Sequence, residues 1–181
     1  MARSLIVEGR LHAPYFIFVR AGGTYADDDL LRLFGLTGYR PTSPLPRHGP
    51  YALLADDGPW KLLADDWSYT LWHLPTTRPT IESLGRRCDV FACSVGDSDH
   101  SFDFAYHRGG RLVRRYVVED PDHRGGRVVE DVGEPLPGEA DAFEGPDELD
   151  IVLGVARSLG IRAPVADRDV RVYAPPPSGR G

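Results

Sequence analysis

The stretch 89–119 restricts the fold most, because it reads as three antiparallel strands laid side by side. Residues 90–95 are an apolar run, residues 101–107 alternate in character, and residues 111–119 form a third run. Strand side chains alternate between faces, so Phe102, Phe104 and Tyr106 share one side of the middle run, and Ser101, Asp103 and His107 share the other. One face is core and the other is wet or functional. Arg108, Gly109 and Gly110 separate the second and third runs, and glycine reaches positive φ without a Cβ clash, which marks a hairpin turn. In the third run Leu112, Arg114, Tyr116 and Val118 fall on one side, with Val113, Arg115, Val117 and Glu119 on the other. Both faces carry apolar residues, so an interior strand is expected. Arg114 and Arg115 then point opposite ways, and one of them is expected to meet a buried acid such as Asp103 while the other meets solvent.

More strands and helices flank this meander. Residues 4–7 and 11–20 read as one or two strands, with Pro14 at a strand start. Thr24 and the acids Asp27, Asp28 and Asp29 suit the start of a helix that stops at Gly35, with the acids solvated in its first turn. Four prolines at 41, 44, 46 and 50 make residues 38–50 a loop. A hairpin follows over 51–55 and 60–64, then a further strand over 67–73 and a short helix capped by Thr80. Residues 122–145 read as a loop wrapped on the sheet, in which Val128 and Val129 pair briefly. Pro146, Asp147 and Glu148 open a last helix that Gly160 ends, and residues 170–173 form an edge strand. The expected class is α+β, mainly an antiparallel sheet meander with two or three helices packed on one face. A single domain spans 1–173, and the Pro/Gly-rich tail 174–181 is expected to be disordered.

Length and charge bound the function. A chain of 181 residues buries enough surface for one core without metal or disulfide staples. The net charge of -6, with Lys61 as the sole lysine, argues against general nucleic-acid binding and favours a basic protein partner. Cys88 and Cys93 match no zinc or redox spacing, and no basic head with a long apolar run opens the chain. A cytoplasmic protein with reduced thiols, not bound to a membrane, is expected. No cofactor is expected, although a divalent metal fits one cluster.

That cluster is Asp97, Asp99, His100, Asp103 and His107. Spacing of the first carboxylates resembles a calcium loop, but Phe102 stands where such a loop needs glycine and Arg108 where it needs glutamate. An EF-hand is excluded. A looser metal site would draw on Asp97, Asp99, Asp103 and His107; the competing reading is aspartates that bond their own turns. A nucleophilic reading would pair Cys93 or Ser94 with His73, His100 or His107 and an orienting aspartate such as Asp103. Against it, a cysteine in an apolar strand is more often inert packing. The binding candidates are Asp97, Asp99, His100, Trp67 and Trp72.

Two segments, 65–73 (Asp-Asp-Trp-Ser-Tyr-Thr-Leu-Trp-His) and 93–104 (Cys-Ser-Val-Gly-Asp-Ser-Asp-His-Ser-Phe-Asp-Phe), resemble those of an uncharacterised bacterial family of toxin-immunity or companion type. The resemblance covers about the central third of the chain and transfers no functional residue. It adds to the binding reading that the charge favours: a protein-binding module, immunity-like or regulatory, that neutralises a basic partner through acidic loops at 97–100 and 139–150. The alternatives are a metal-dependent hydrolase using Asp97, Asp99 and Asp103 with His100 or His107, and a small-ligand sensor with a pocket lined by Trp60, Trp67 and Trp72. An enzyme should gather its carboxylates and imidazoles in one concavity; a sensor should leave tryptophan lining a void.

Overall fold

The computed structural model describes residues 5–7, 10–12, 15–20, 24–43, 46, 50–64, 70–96, 99–162 and 170–176. In chain order the strands are β1 (Leu5–Val7), β2 (Arg10–His12), β3 (Tyr15–Arg20), β4 (Arg40–Pro41), β5 (Ala52–Asp57), β6 (Trp60–Ala64), β7 (Val90–Val95), β8 (Phe102–Arg108), β9 (Arg111–Glu119), β10 (Arg127–Val132) and β11 (Arg171–Ala174). The helices are α1 (Asp27–Leu33), α2 (Thr70–His73), α3 (Thr77–Gly85), α4 (Glu139–Phe143) and α5 (Glu148–Ser158). β1 and β2 pair with each other, and the other nine strands form one sheet in the order β10-β9-β8-β7-β3-β6-β5-β11-β4. Every pairing is antiparallel. The α+β class dominated by an antiparallel sheet is the one the alternating runs imply, and the meander is β7-β8-β9 with its turn at Gly109 and Gly110, both at positive φ.

Helices cover both faces. Phe16, Phe18, Phe91, Phe104 and Tyr106 point to a core closed by α4 and α5, while Ile17, Val19, Val90 and Ala92 point to a second core closed by α1, α2 and α3. The central strands β3, β6 and β7 are buried on both sides, which is why their sequences are unbroken apolar runs rather than alternations. On the α4/α5 face the ring of Phe104 stacks on Tyr116 at 5.8 Å, and Phe143 of α4 lies 5.0 Å from Tyr116. Among the described residues, five helices on two faces, rather than two or three on one, follow from a sheet whose middle has no polar side to leave wet.

Local expectations fail where a few residues decide between periods. Residues 70–73 form the single-turn helix α2 instead of a strand: Leu71 is buried while Trp72 and His73 are exposed, and Leu74 returns to the core, a spacing of three. α3 starts at Thr77, before Pro79 rather than after it, because the first helical turn needs no amide donor. Thr80 lies inside the helix, and its hydroxyl donates to Leu33 O of α1 at 3.0 Å. The segment expected to be loop holds α4 and the six-residue β10. β11 lies between β5 and β4 and not at the edge, and it runs through Ala174; residues 177–181 of the tail lie outside the described residues. Pro41 sits in the edge strand β4, where a missing donor costs nothing.

Asp27 is no solvated first-turn acid. It accepts from Lys61 Nζ of β6 at 2.7 Å, from Arg171 of β11 and from the Tyr173 hydroxyl at 2.8 Å, joining α1 to two strands. Burial works against its charge, but these donors, Arg171 first, hold its carboxyl far below the usual range, and the same contact and burial push Tyr173 up to about 12.

Candidate functional site

A β-bulge creates the site. Between Tyr106 and His107 the β8–β9 register slips, so Leu112 faces His107 across the ladder, Arg114 faces Tyr106, and Arg115 faces Ala105. Leu112 and Arg114 are therefore not on one side, contrary to strict alternation through residues 111–119. Arg114 turns into the α4/α5 core. There its Nε and Nη2 grip Glu139 at 3.0 and 2.6 Å, Nη1 reaches Asp131 and Gly133 O, and the guanidinium lies over Tyr116 at 5.2 Å. Glu139, not Asp103, is the buried acid that meets an arginine. Asp103 stands on the opposite face, where Arg115 acts on it through charge alone.

On that opposite face, under α2 and α3, lies a cleft of about 520 Å³. Its floor is the cross-strand pair Ala92 and Ala105. Elsewhere on this face the floor positions carry Ile17, Leu63 or Val90, which fill the space to the helices; two methyl groups cannot. Asp103 and His107 stand on either side of Ala105, two residues away in each direction, so the strand sets them at opposite ends of the floor, about 13 Å apart. His107 meets α3 at Gly85, where a Cβ would come within 2.6 Å of the histidine Cβ. Only glycine lets the helix end descend that far.

The walls follow from the turn between α2 and α3. The Thr77 hydroxyl donates to Leu71 O at 2.6 Å and fixes that turn. Trp72 is 53% exposed at the mouth, edge-on to Tyr15 at 5.7 Å, and Leu74 and Ile81 line the apolar side. Arg78, Arg86, Arg111 and Arg115 surround the opening. Ser94 donates to the Asp103 carboxylate. Burial pushes the Asp103 carboxyl up, against the pull of Ser94 and Arg115, and burial lowers His107, so its imidazole is neutral at neutral pH.

The clustered candidates are dispersed. Asp103, His107 and Trp72 share the cleft. Asp99 takes the Ser101 amide at 2.9 Å, the turn role of aspartate. His100 bonds Glu148 of α5 at 2.5 Å, which raises its pKa. His73 is exposed at the end of α2. Asp97 and Trp67 lie outside the described residues, and Trp60 fills the other core. Among the described residues no group of three His, Cys, Asp or Glu side chains could share a metal ion. Cys93 is wholly buried against the α4/α5 core, one residue and one sheet face away from Ser94, and burial with the nearby Asp103 charge pushes its thiol well up. No imidazole on the cleft face can reach it. Ellman's reagent should therefore label half-buried Cys88 slowly in the native protein and leave Cys93 untouched until denaturant is added. Labelling of both at one rate without denaturant would contradict this placement.

Residue types alone do not mark Ala92, Ala105, Arg78, Arg86 or Arg111, and Arg115 is marked only as one of a pair that points opposite ways. The alanines matter only as partners across a ladder, and Arg86 and Arg111 each follow a glycine, at the end of a helix and the start of a strand respectively, where solvation is the ordinary expectation.

The fold and cleft define a helix-flanked antiparallel sheet with a mixed apolar and cationic concavity. Comparison with protein families, with curated proteins and with solved structures finds no match for this chain. Among the described residues no helix is long and apolar enough to cross a membrane.

Proposed function

We propose that the protein binds a small molecule in the cleft over Ala92 and Ala105, as a sensor or carrier. One observation carries this reading: the face under α2 and α3 is packed through β3, β6 and β7 yet leaves about 520 Å³ open at two paired alanines, with Trp72 exposed above them. That volume lies within the range of small-molecule sites, and an apolar floor with a few polar groups is their usual make-up. The hydrolase reading has less behind it, since Asp99 and His100 are used elsewhere and Asp103 and His107 stand too far apart to act on one proton. The acidic surface meant for a basic partner is also reduced, because Glu139 is inside and Glu148 holds His100.

Filling the cleft tests the reading. The probe 2-naphthylmethanol, titrated by ligand-observed NMR, should bind the native protein with a Kd of about 0.1 to 1 mM. Ala105→Leu should weaken it by about tenfold or more while leaving the melting temperature unchanged or higher, since the added carbons occupy open space. Undiminished binding in Ala105→Leu would remove the cleft as the site.

A further inference from the structure

The cleft mouth has a charge of the wrong sign for its molecule. The chain carries -6 overall, yet Arg78, Arg86, Arg111 and Arg115 ring an opening whose lining acids are Glu82 and Asp103. Two of the four are engaged. Arg78 meets Glu82 at 3.3 Å and Arg115 meets Glu130 of β10 at 2.7 Å. Arg86 and Arg111 are exposed, and among the described residues no carboxylate pairs with either.

These two are also neighbours. The Gly110 amide donates to Gly85 O at 2.9 Å, so residues 86 and 111 each leave the backbone one position beyond a shared hydrogen bond. The two stems therefore start from adjacent points on the same rim. Like charges held this close repel. The negative end of α3 offsets one of them, Arg86 at its C-cap, and leaves Arg111 uncompensated. Guanidinium groups present paired donors that match a planar or tetrahedral oxyanion, which a lysine would not do. Inward of the pair lies the alanine floor, with Trp72 also at the mouth, a lining suited to an apolar body and not to a second charge.

We propose that the ligand of this cleft is an apolar, ring-bearing oxyanion whose charged group is clamped by Arg86 and Arg111 at the mouth while its body lies over Ala92 and Ala105. The assignment rests on the cleft being a small-molecule site. The oxyanion is a carboxylate or a phosphate, and the clamp serves either.

Three probes sharing one ring system separate the possibilities: 2-naphthylmethanol, 2-naphthoate and 2-naphthyl phosphate. Each is titrated against the native protein, the Arg86→Gln/Arg111→Gln double variant and Ala105→Leu. The native protein should bind at least one anion about tenfold tighter than the alcohol at low salt, with the advantage shrinking as sodium chloride is added. The anion bound tighter names the group. The double variant should lose that advantage and keep its affinity for the alcohol, with its melting temperature held because both arginines are exposed. Equal binding of all three probes by the native protein, weakened by Ala105→Leu, would overturn the oxyanion and leave the cleft standing. An anion preference that survives in the double variant would overturn the clamp. Failure of every probe to bind the native protein would overturn both.

Discussion

Arg114→Ala should lower the unfolding free energy by about 3 to 5 kcal/mol, the range for removing one partner from a buried ion pair. Arg114 and Glu139 are each 2% exposed, and the carboxylate also accepts the Leu136 amide at 2.9 Å. Removing the guanidinium leaves Glu139 charged among Tyr116, Phe143 and Leu136 with no cation to meet it, and it leaves Gly133 O without a donor. The cost is that of the stranded acid and not the net worth of the pair. The double variant Arg114→Met/Glu139→Leu should therefore recover much of the loss. Urea midpoints of the three proteins check both statements. If the double variant is as unstable as the single one, the account by a stranded charge is wrong.

Asp27→Asn should cost about 2 to 3 kcal/mol near neutral pH, because the amide cannot serve Lys61, Arg171 and Tyr173 as the carboxylate does. The pH dependence has a definite sign. Asp27 has a folded pKa lowered below its ordinary 3.8, so the unfolded chain takes up a proton before the folded one does. Its stabilising contribution is complete above that ordinary value and drains away as the pH falls below it. Unfolding free energies of native protein and variant, measured from about pH 6 to about pH 3, should draw closer as the pH falls below about 4 without yet meeting. A gap that stays constant with pH would show that the Asp27 charge is not what joins α1 to β6 and β11.

What residue order revealed and what it hid divide along a physical line. The meander was legible because Phe102, Phe104 and Tyr106 alternate with polar residues and a glycine pair closes the hairpin, signals that lie within a few residues of one another. The last helix was legible for the same reason: the Asp147 carboxylate caps the Asp150 amide at 2.8 Å, and Val152, Leu153 and Ala156 follow helical spacing. Residues 70–73 fit either period, and only the return of Leu74 to the core decides for the helix over the expected strand. Which of Arg114 and Arg115 meets a buried acid, and that the acid is Glu139 rather than Asp103, is not readable from the chain, because the bulge opposite Tyr106 and His107 is a property of two strands together. The cleft was hidden for that reason too. Asp103, His107 and Trp72 were singled out, but Ala92 and Ala105 become a floor only when β7 and β8 are in register, and Arg86 joins Arg111 only through the contact of Gly85 with Gly110. The closeness of Asp99 and Asp103 along the chain is no guide, since Asp99 bonds the Ser101 amide in its turn while Asp103 faces the cleft.

The position of β11 sets the order in which the molecule can be completed. Arg171, Val172 and Tyr173 pair with β5, which lies far earlier in the chain, and among the described residues β4 joins the sheet only through β11. Until β11 docks, the outer rim of β5 has bare amides and carbonyls beside its pairing with β6. The sheet thus carries a seam at β5 that a strand distant in sequence seals, and the closure of so long a loop is a slow step of folding.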